Sequence, residues 1–289
     1  MARAIELIER DIAALQVAIR EIAAQLHNAY TSYLNTLGQA LGKQLILATY
    51  HLCTQGYPEN FLKLSLSQRQ KLQQGIRNLG KEAAELLLSY VEEQPEAENQ
   101  PEQPEAENQP EQLESALTYL LSDSSAAPVV NSVLKILTPD VSNPIEVAKW
   151  QQNLENLIQE VLKNVSRDAN LLLQKAGILS QKLPEPVLEA AAAVSEASAE
   201  VMPGPANLLN LVVEISNEQD PEDSKLTQIM AINLRLGEIE FADTTVSSGR
   251  RQIRQILGEL NKLGRDYQKK QRERSIAEAE SAWRASWFE

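Results

Sequence analysis

Residues Ile5–Leu26 read IELIERDIAALQVAIREIAAQL. Ile5, Ile8, Ile12, Leu15, Ile19, Ile22 and Leu26 follow one another in alternating steps of three and four. That spacing holds every apolar residue on one stripe of a helix and makes a heptad seam, which needs a partner helix to cover it. The stripe continues through Tyr30, Tyr33, Leu37, Leu41 and Leu45, and the first proline is Pro58. The pattern predicts a helix of roughly 50 residues that stops at TQGYPEN (54–60), where Gly56 and Pro58 punctuate the chain.

The far end of the chain carries a second seam. Ile239, Val246, Ile253, Leu260 and Tyr267 lie seven apart, with Leu236, Ile256 and Leu263 at compatible positions. The register passes without interruption through TTVSSG (244–249), which predicts one helix from Leu226 to Trp283. Two long heptad-bearing helices at opposite ends of a chain predict an antiparallel pair with shorter helices packed on it, an all-α fold.

Between them, Ser65 or Ser67 can cap a helix that runs to Val91 with Leu72, Ile76, Leu79, Ala83, Leu86 and Leu87 on one side. The nine residues QPEAENQPE then occur twice, at 94–102 and 103–111. From Val91 to Gln112 there are eight Glu and no Lys or Arg. Recurrent proline and the lack of apolar residues predict a disordered acidic linker, read as a spacer or as bait for a basic partner. LESALTYLLSD (113–123) reads as a short helix. Asn143 and Pro144 open another that carries Val147, Trp150, Leu154, Leu157, Ile158 and Val161 and extends towards LLLQKAGIL (171–179). PVLEAAAAVSEASAEVM (186–202) reads as helix. NLLNLVVEI (207–215) suits a helix or a buried strand, and NEQDPEDS (217–224) suits a loop with Ser224 as a cap. The expected organisation is 1–91, a linker at 92–112, and 113–289 packing back on 1–91 as one domain.

Bulk properties narrow the function. The chain has 289 residues, 43% hydrophobic but only 4% aromatic, with a formal net charge of −13. Leu, Ile, Ala, Val, Glu and Gln with few glycines favour helix. A single cysteine, Cys53, excludes an internal disulfide and a multi-cysteine zinc site. His27 and His51 are too few for a histidine-rich metal site. The charged start and the lack of an 18-residue apolar run predict a cytoplasmic protein with no membrane span. The acidic balance argues against nonspecific nucleic-acid binding. Phosphate loops, nucleophile elbows and metal-binding motifs are all missing from the sequence, so an enzyme is not expected. Cys53 and His51 are two apart on a helix and point in different directions, which suits a core thiol better than a nucleophile pair.

Three stretches draw attention as sites. From Gly249 to Arg274 there are nine Lys/Arg against three Asp/Glu. Within it Arg250, Arg251 and Arg254 share a broad face, preceded by Glu240, Asp243 and Ser247. Guanidinium groups can pair with phosphate or with the guanine edge, and a carboxylate can accept from guanine N1–H, so this face suits a guanine nucleotide. Gly249 would let a ligand or another backbone come close. The same pattern also suits a solvated helix face, or salt bridges to acidic parts of the same chain. Tyr50, His51, Tyr57 and Phe61 crowd the end of the first helix and offer stacking surfaces, or a hydrophobic plug. Trp283, Trp287 and Phe288 end the chain as a docking surface, or pack back on the body.

YHLCTQGYPENFLKLS (50–65), AINLRLGEIEFAD (231–243) and NKLGRDYQKKQRERSIAEAESAWRASW (261–287) resemble stretches of a helical protein family of cyanobacteria. The resemblance covers most of the chain outside the Pro/Glu repeat. It implies a receptor for cyclic di-GMP acting in cell-size control, and it carries over no binding residues. A ligand with two guanines and two phosphates fits the arginine face. The expected binding set is therefore Arg250, Arg251, Arg254, Asp243, Ser247, Tyr50, His51 and Tyr57, with no metal or other cofactor. The expected function is a non-enzymatic receptor that passes the signal to a protein partner, for example a transcription factor. The alternative is a coiled-coil scaffold of division or envelope organisation without a small ligand. Either form is compatible with a homodimer.

Overall fold

A long heptad seam must be covered, and the computed structural model shows how. It describes residues 2–92, 139–180, 205–217 and 220–287, with the backbone alone for 2–4, 92, 211–217 and 220–228. Helix α1 spans Ala2–His51 and runs into a π-helical turn at Leu52–Gly56. Then come α2 (Pro58–Lys63), α3 (Leu66–Glu92), α4 (Pro144–Lys175), strands β1 (Leu208–Asn217) and β2 (Asp220–Ile232), α5 (Leu236–Ala242) and α6 (Thr244–Ala285). The fold is all-α, with the two strands as a single antiparallel hairpin. The expected linker at 92–112 (beyond Glu92), and the helices expected at 113–123 and 186–202, lie outside the described residues.

Local chemistry explains the helix ends. Ser65 and Gln68 make a reciprocal capping box before α3: Gln68 N–H donates to Ser65 Oγ at 3.3 Å, and Ser65 N–H donates to Gln68 Oε1 at 2.8 Å. Asn143 caps α4 through Oδ1, which accepts from Ile145 N–H at 3.1 Å. At its far end Gly177, at φ +79°, turns the chain back, and Ile178 N–H donates to the Leu173 carbonyl at 2.9 Å.

Two expectations about the C-terminal region are corrected. The single helix from Leu226 to Trp283 does not form, because 226–232 belongs to β2 and the helix breaks again at Asp243. Asp243 takes extended backbone angles, φ −125° and ψ 114°, and its Oδ1 accepts from Thr245 N–H at 2.9 Å. The heptad spacing survives the break, since Ile239, Val246, Ile253 and Leu260 are all buried. An unbroken seven-residue register therefore does not require an unbroken helix. Likewise 220–224, read as a loop with a capping Ser224, is strand paired with β1.

The chain divides into two compact units, each assembled from three stretches. One comprises Met1–His27, Tyr90–Leu154 and Ile256–Glu289. Its described core includes Ile12, Ile19, Leu26, Trp150, Leu154 and Leu260. His27 stacks on Trp150 and donates from Nε2 to the Val91 carbonyl at 3.0 Å. The other unit comprises Asn28–Ser89 and Glu155–Gln255. Tyr30, Tyr33, Leu34, Leu37, Leu41 and Leu45 of α1 are buried in it. Both units contain contacts between α1 and α6. In the first unit Lys270 pairs with Asp11 at 3.1 Å, and in the second Gly249 lies against Tyr33.

In the second unit α1 and α3 cross at small residues. A Cβ added at Gly38 would sit 2.7 Å from the Ala84 Cβ, inside any real contact, and one at Gly80 would sit 3.1 Å from Gly42 Cα. One at Gly42 would meet nothing within 4 Å. We expect Gly38→Ala to force the helices apart and cost about 1–3 kcal/mol in urea unfolding. Gly42→Ala should be neutral or stabilising through its better helix propensity, by up to about 1 kcal/mol. Equal effects of the two substitutions would refute the close crossing.

Candidate functional site

Arg250 is the residue around which the second unit's polar groups are organised. It is 9% exposed, on the inner side of α6 about two turns after the Asp243 cap. Its Nε donates to Glu240 Oε1 of α5 at 2.6 Å. Its remaining nitrogens pair with both oxygens of Glu155 on α4, the NH2 contact being 3.0 Å. NH2 also donates to the Tyr33 hydroxyl of α1 at 2.8 Å, and the guanidinium carbon sits 4.6 Å from the Tyr33 ring centroid. Tyr33 in turn donates to Glu240 Oε1 at 2.7 Å, and Tyr30 donates to Glu155 Oε1. One guanidinium thus joins four helices through two carboxylates and a phenol.

Burial works against the charge on Arg250. The hydrogen bonds it donates to Glu155 and Glu240, with the nearby Tyr33, more than offset it, so its pKa is raised. Tyr33 is pushed well above its ordinary value, chiefly by burial, and stays a neutral donor. Of the readings open to the basic strip, a lock onto acidic parts of the same chain describes Arg250. Arg251 and Arg254 differ: both are exposed, and neither makes an ion pair among the described residues.

Asp243 is occupied as the cap of α6. Its carboxyl is held below the usual carboxylate range, first by the hydrogen bond from Thr245 N–H. Ser247 is half-buried one turn later. Tyr50, His51 and Tyr57 are not brought to the arginines. Gly249 sits opposite Tyr33, and Tyr50 lies 17 residues further along α1, about 25 Å of helix. Tyr50 is exposed and stacks edge-on with His51. Tyr57 instead meets β2. Its hydroxyl accepts from Met230 N–H at 3.0 Å and lies 3.2 Å from the Met230 carbonyl, to which it also donates. Burial raises the Tyr57 pKa, with the Met230 contact opposing.

Tyr57 is one of three residues that satisfy the outer edge of β2, and the other two were not legible in the sequence. Asn170 Oδ1 accepts from Ile232 N–H at 2.9 Å, while its Nδ2 donates to the Ile232 carbonyl at 2.9 Å. Ser166 Oγ accepts from Leu234 N–H at 2.9 Å. Residues 230, 232 and 234 turn the same edge outward, as alternate residues of a strand must. Asn207, at φ 60° and fully buried, is a second hub. Its carbonyl accepts from Asn233 N–H at 3.0 Å, its Oδ1 from Arg235 N–H at 3.0 Å, and its own N–H reaches Glu238. Asn is the side chain that best tolerates this left-handed backbone while bonding locally.

Comparison with known protein families, with curated proteins and with solved structures returned no match. No group of three or more His, Cys, Asp or Glu among the described residues is placed to hold a metal ion. No helix among them is long and apolar enough to cross a membrane.

Replacing Arg250 by Met leaves two carboxylates facing each other without their cation. We expect Arg250→Met to cost about 3–5 kcal/mol in urea unfolding. Adding Glu155→Gln and Glu240→Gln should recover much of the loss. A single variant within about 0.5 kcal/mol of the parent would mean that the lock contributes nothing.

Cys53 is buried at the π-helical turn, and burial pushes its thiol up to about 11. At neutral pH the thiolate is therefore about a hundredfold scarcer than for an ordinary cysteine. Alkylation by iodoacetamide should be slow at pH 8 and rise steadily towards pH 11. Fast alkylation at neutral pH would contradict the buried placement.

Proposed function

We propose that the chain is a non-enzymatic helical adaptor, whose α6 displays its outer face to a partner while Arg250 fixes the inner face. The observation that carries this reading is the division of labour among neighbouring arginines. Arg250 is consumed by Glu155 and Glu240, and Arg251 and Arg254 are left to solvent. A helix with a locked inner side and unpaired Arg251 and Arg254 on its outer side suits docking. A small-molecule site wants converging groups around a concavity. Here Asp243 is spent as a cap and the aromatic cluster of Tyr50, His51 and Tyr57 lies elsewhere.

A second reading keeps cyclic di-GMP as a ligand that couples to a protein partner such as a transcription factor. Its support is narrower: two exposed guanidinium groups three residues apart, a spacing that can straddle a phosphate. Calorimetric titration with cyclic di-GMP and cyclic di-AMP separates the readings. The adaptor reading expects no saturable heat with either dinucleotide at physiological salt. Saturable cyclic di-GMP binding that Arg251→Ala/Arg254→Ala weakens by roughly a hundredfold or more, with no competition from cyclic di-AMP, would establish the receptor instead.

A further inference from the structure

Lys262, Arg265, Lys269, Arg272, Ile276, Trp283 and Trp287 follow one another along the C-terminal part of the chain, all within the first unit. At about 100° per residue they fall within an arc of roughly 80° on one face of α6 and its end. Every one is exposed, with Ile276 at 50%, Trp283 at 66% and Trp287 at 72%. Leu260, which helps anchor the helix, is buried on the opposite side. None of the four cations has an ion-pair partner among the described residues. Neighbouring charges off the stripe are paired, Lys270 with Asp11 and Glu273, and Arg274 with Glu278. Glu259 and Asp266 flank the stripe, and Glu280, within reach of Arg284, lies at its border.

We propose that this stripe is a membrane-surface site that lays α6 on an anionic lipid bilayer. The Lys/Arg row meets the lipid phosphates, and Trp283, Trp287 and Ile276 enter the interfacial layer. This goes beyond the adaptor reading and rests on different residues. Cations in a row followed by a tryptophan pair match the chemistry of that interface, where indole rings settle at headgroup depth and basic side chains add attraction. The two indoles stand 5.7 Å apart and tilted, and both are exposed. A convex ridge fits a flat, yielding surface without shape matching. An acidic protein would need both a row of carboxylates and a socket for two tryptophans. The chain's net charge of −13 repels anionic surfaces at long range, so attachment depends on this face alone and is sensitive to salt.

The test is co-sedimentation of the full chain with phosphatidylcholine vesicles, with and without phosphatidylglycerol, while tryptophan emission is followed. Trp150 is buried and supplies a constant background. The proposal expects binding only to the phosphatidylglycerol vesicles, with a blue shift of the emission and release at high salt. K262Q/R265Q/K269Q/R272Q should weaken it about a hundredfold or more. W283A/W287A should weaken it less and abolish the blue shift. All six residues are exposed, so circular dichroism should match the parent in both variants. No binding to anionic vesicles, or binding that neither variant weakens, overturns the proposal. Tighter capture of soluble poly-glutamate than of vesicles by the same residues also overturns it, in favour of an acidic protein partner.

Discussion

A buried arginine has no neutral form to retreat to, so the protein around it must supply its counter-charges in place. Arg250 imposes that constraint on four helices at once. Glu155 must arrive from α4, Glu240 from α5, and Tyr33 from α1, each within hydrogen-bond distance of one planar group. Such a cluster is costly to desolvate and is weak evidence for stability as such. Its stronger consequence is specificity. Leucine seams tolerate sliding by a heptad, whereas four hydrogen bonds from one planar group to two carboxylates and a phenol tolerate none. The Gly249 backbone beside it lets Tyr33 approach closely enough to stack under the guanidinium.

The hairpin poses a second constraint of the same kind. The end of the hairpin and the residues after it, Ile229 and Ala231–Leu234, are buried, and their backbone groups need partners. Asn170 acts on Ile232 much as a neighbouring strand would, offering an acceptor and a donor from one amide. Ser166 and Tyr57 serve the residues two places to either side. The last residues of β2, and Leu234 beyond it, are thereby paired by side chains from α4 and by Tyr57, which follows the π-helical turn.

The features legible in the sequence are those whose cause is local or periodic. The heptads of α1 mark its buried side, Ser65 and Asn143 mark the helix starts, and Gly56 with Pro58 marks the first stop. The break at Asp243 hid behind an intact seven-residue register, because the cap bends the chain without changing which side is buried. The strand at 220–232 was obscured by its start, DPEDS, whose composition is that of a loop, and its pairing depends on β1 rather than on its own residues. Arg250 stands out as charged, and spacing groups it with Arg251 and Arg254. The contacts to Glu240, Tyr33 and Glu155, the last 95 residues away, separate it from them. Carboxylates are common in this chain, and nothing near Glu155 in sequence marks it as a partner.

Within the second unit these elements are held in register by polar interactions, with Arg250 turned inward and Arg251 and Arg254 outward. The most direct measurement of that account is hydrogen exchange at the arginine Nε–H groups, followed by NMR with and without added salt. The Arg250 signal should be protected, shifted from the bulk arginine position and indifferent to salt, while Arg251 and Arg254 exchange as free side chains. An Arg250 signal that exchanges as fast as those of its neighbours would contradict the inward lock on which the rest of the account depends.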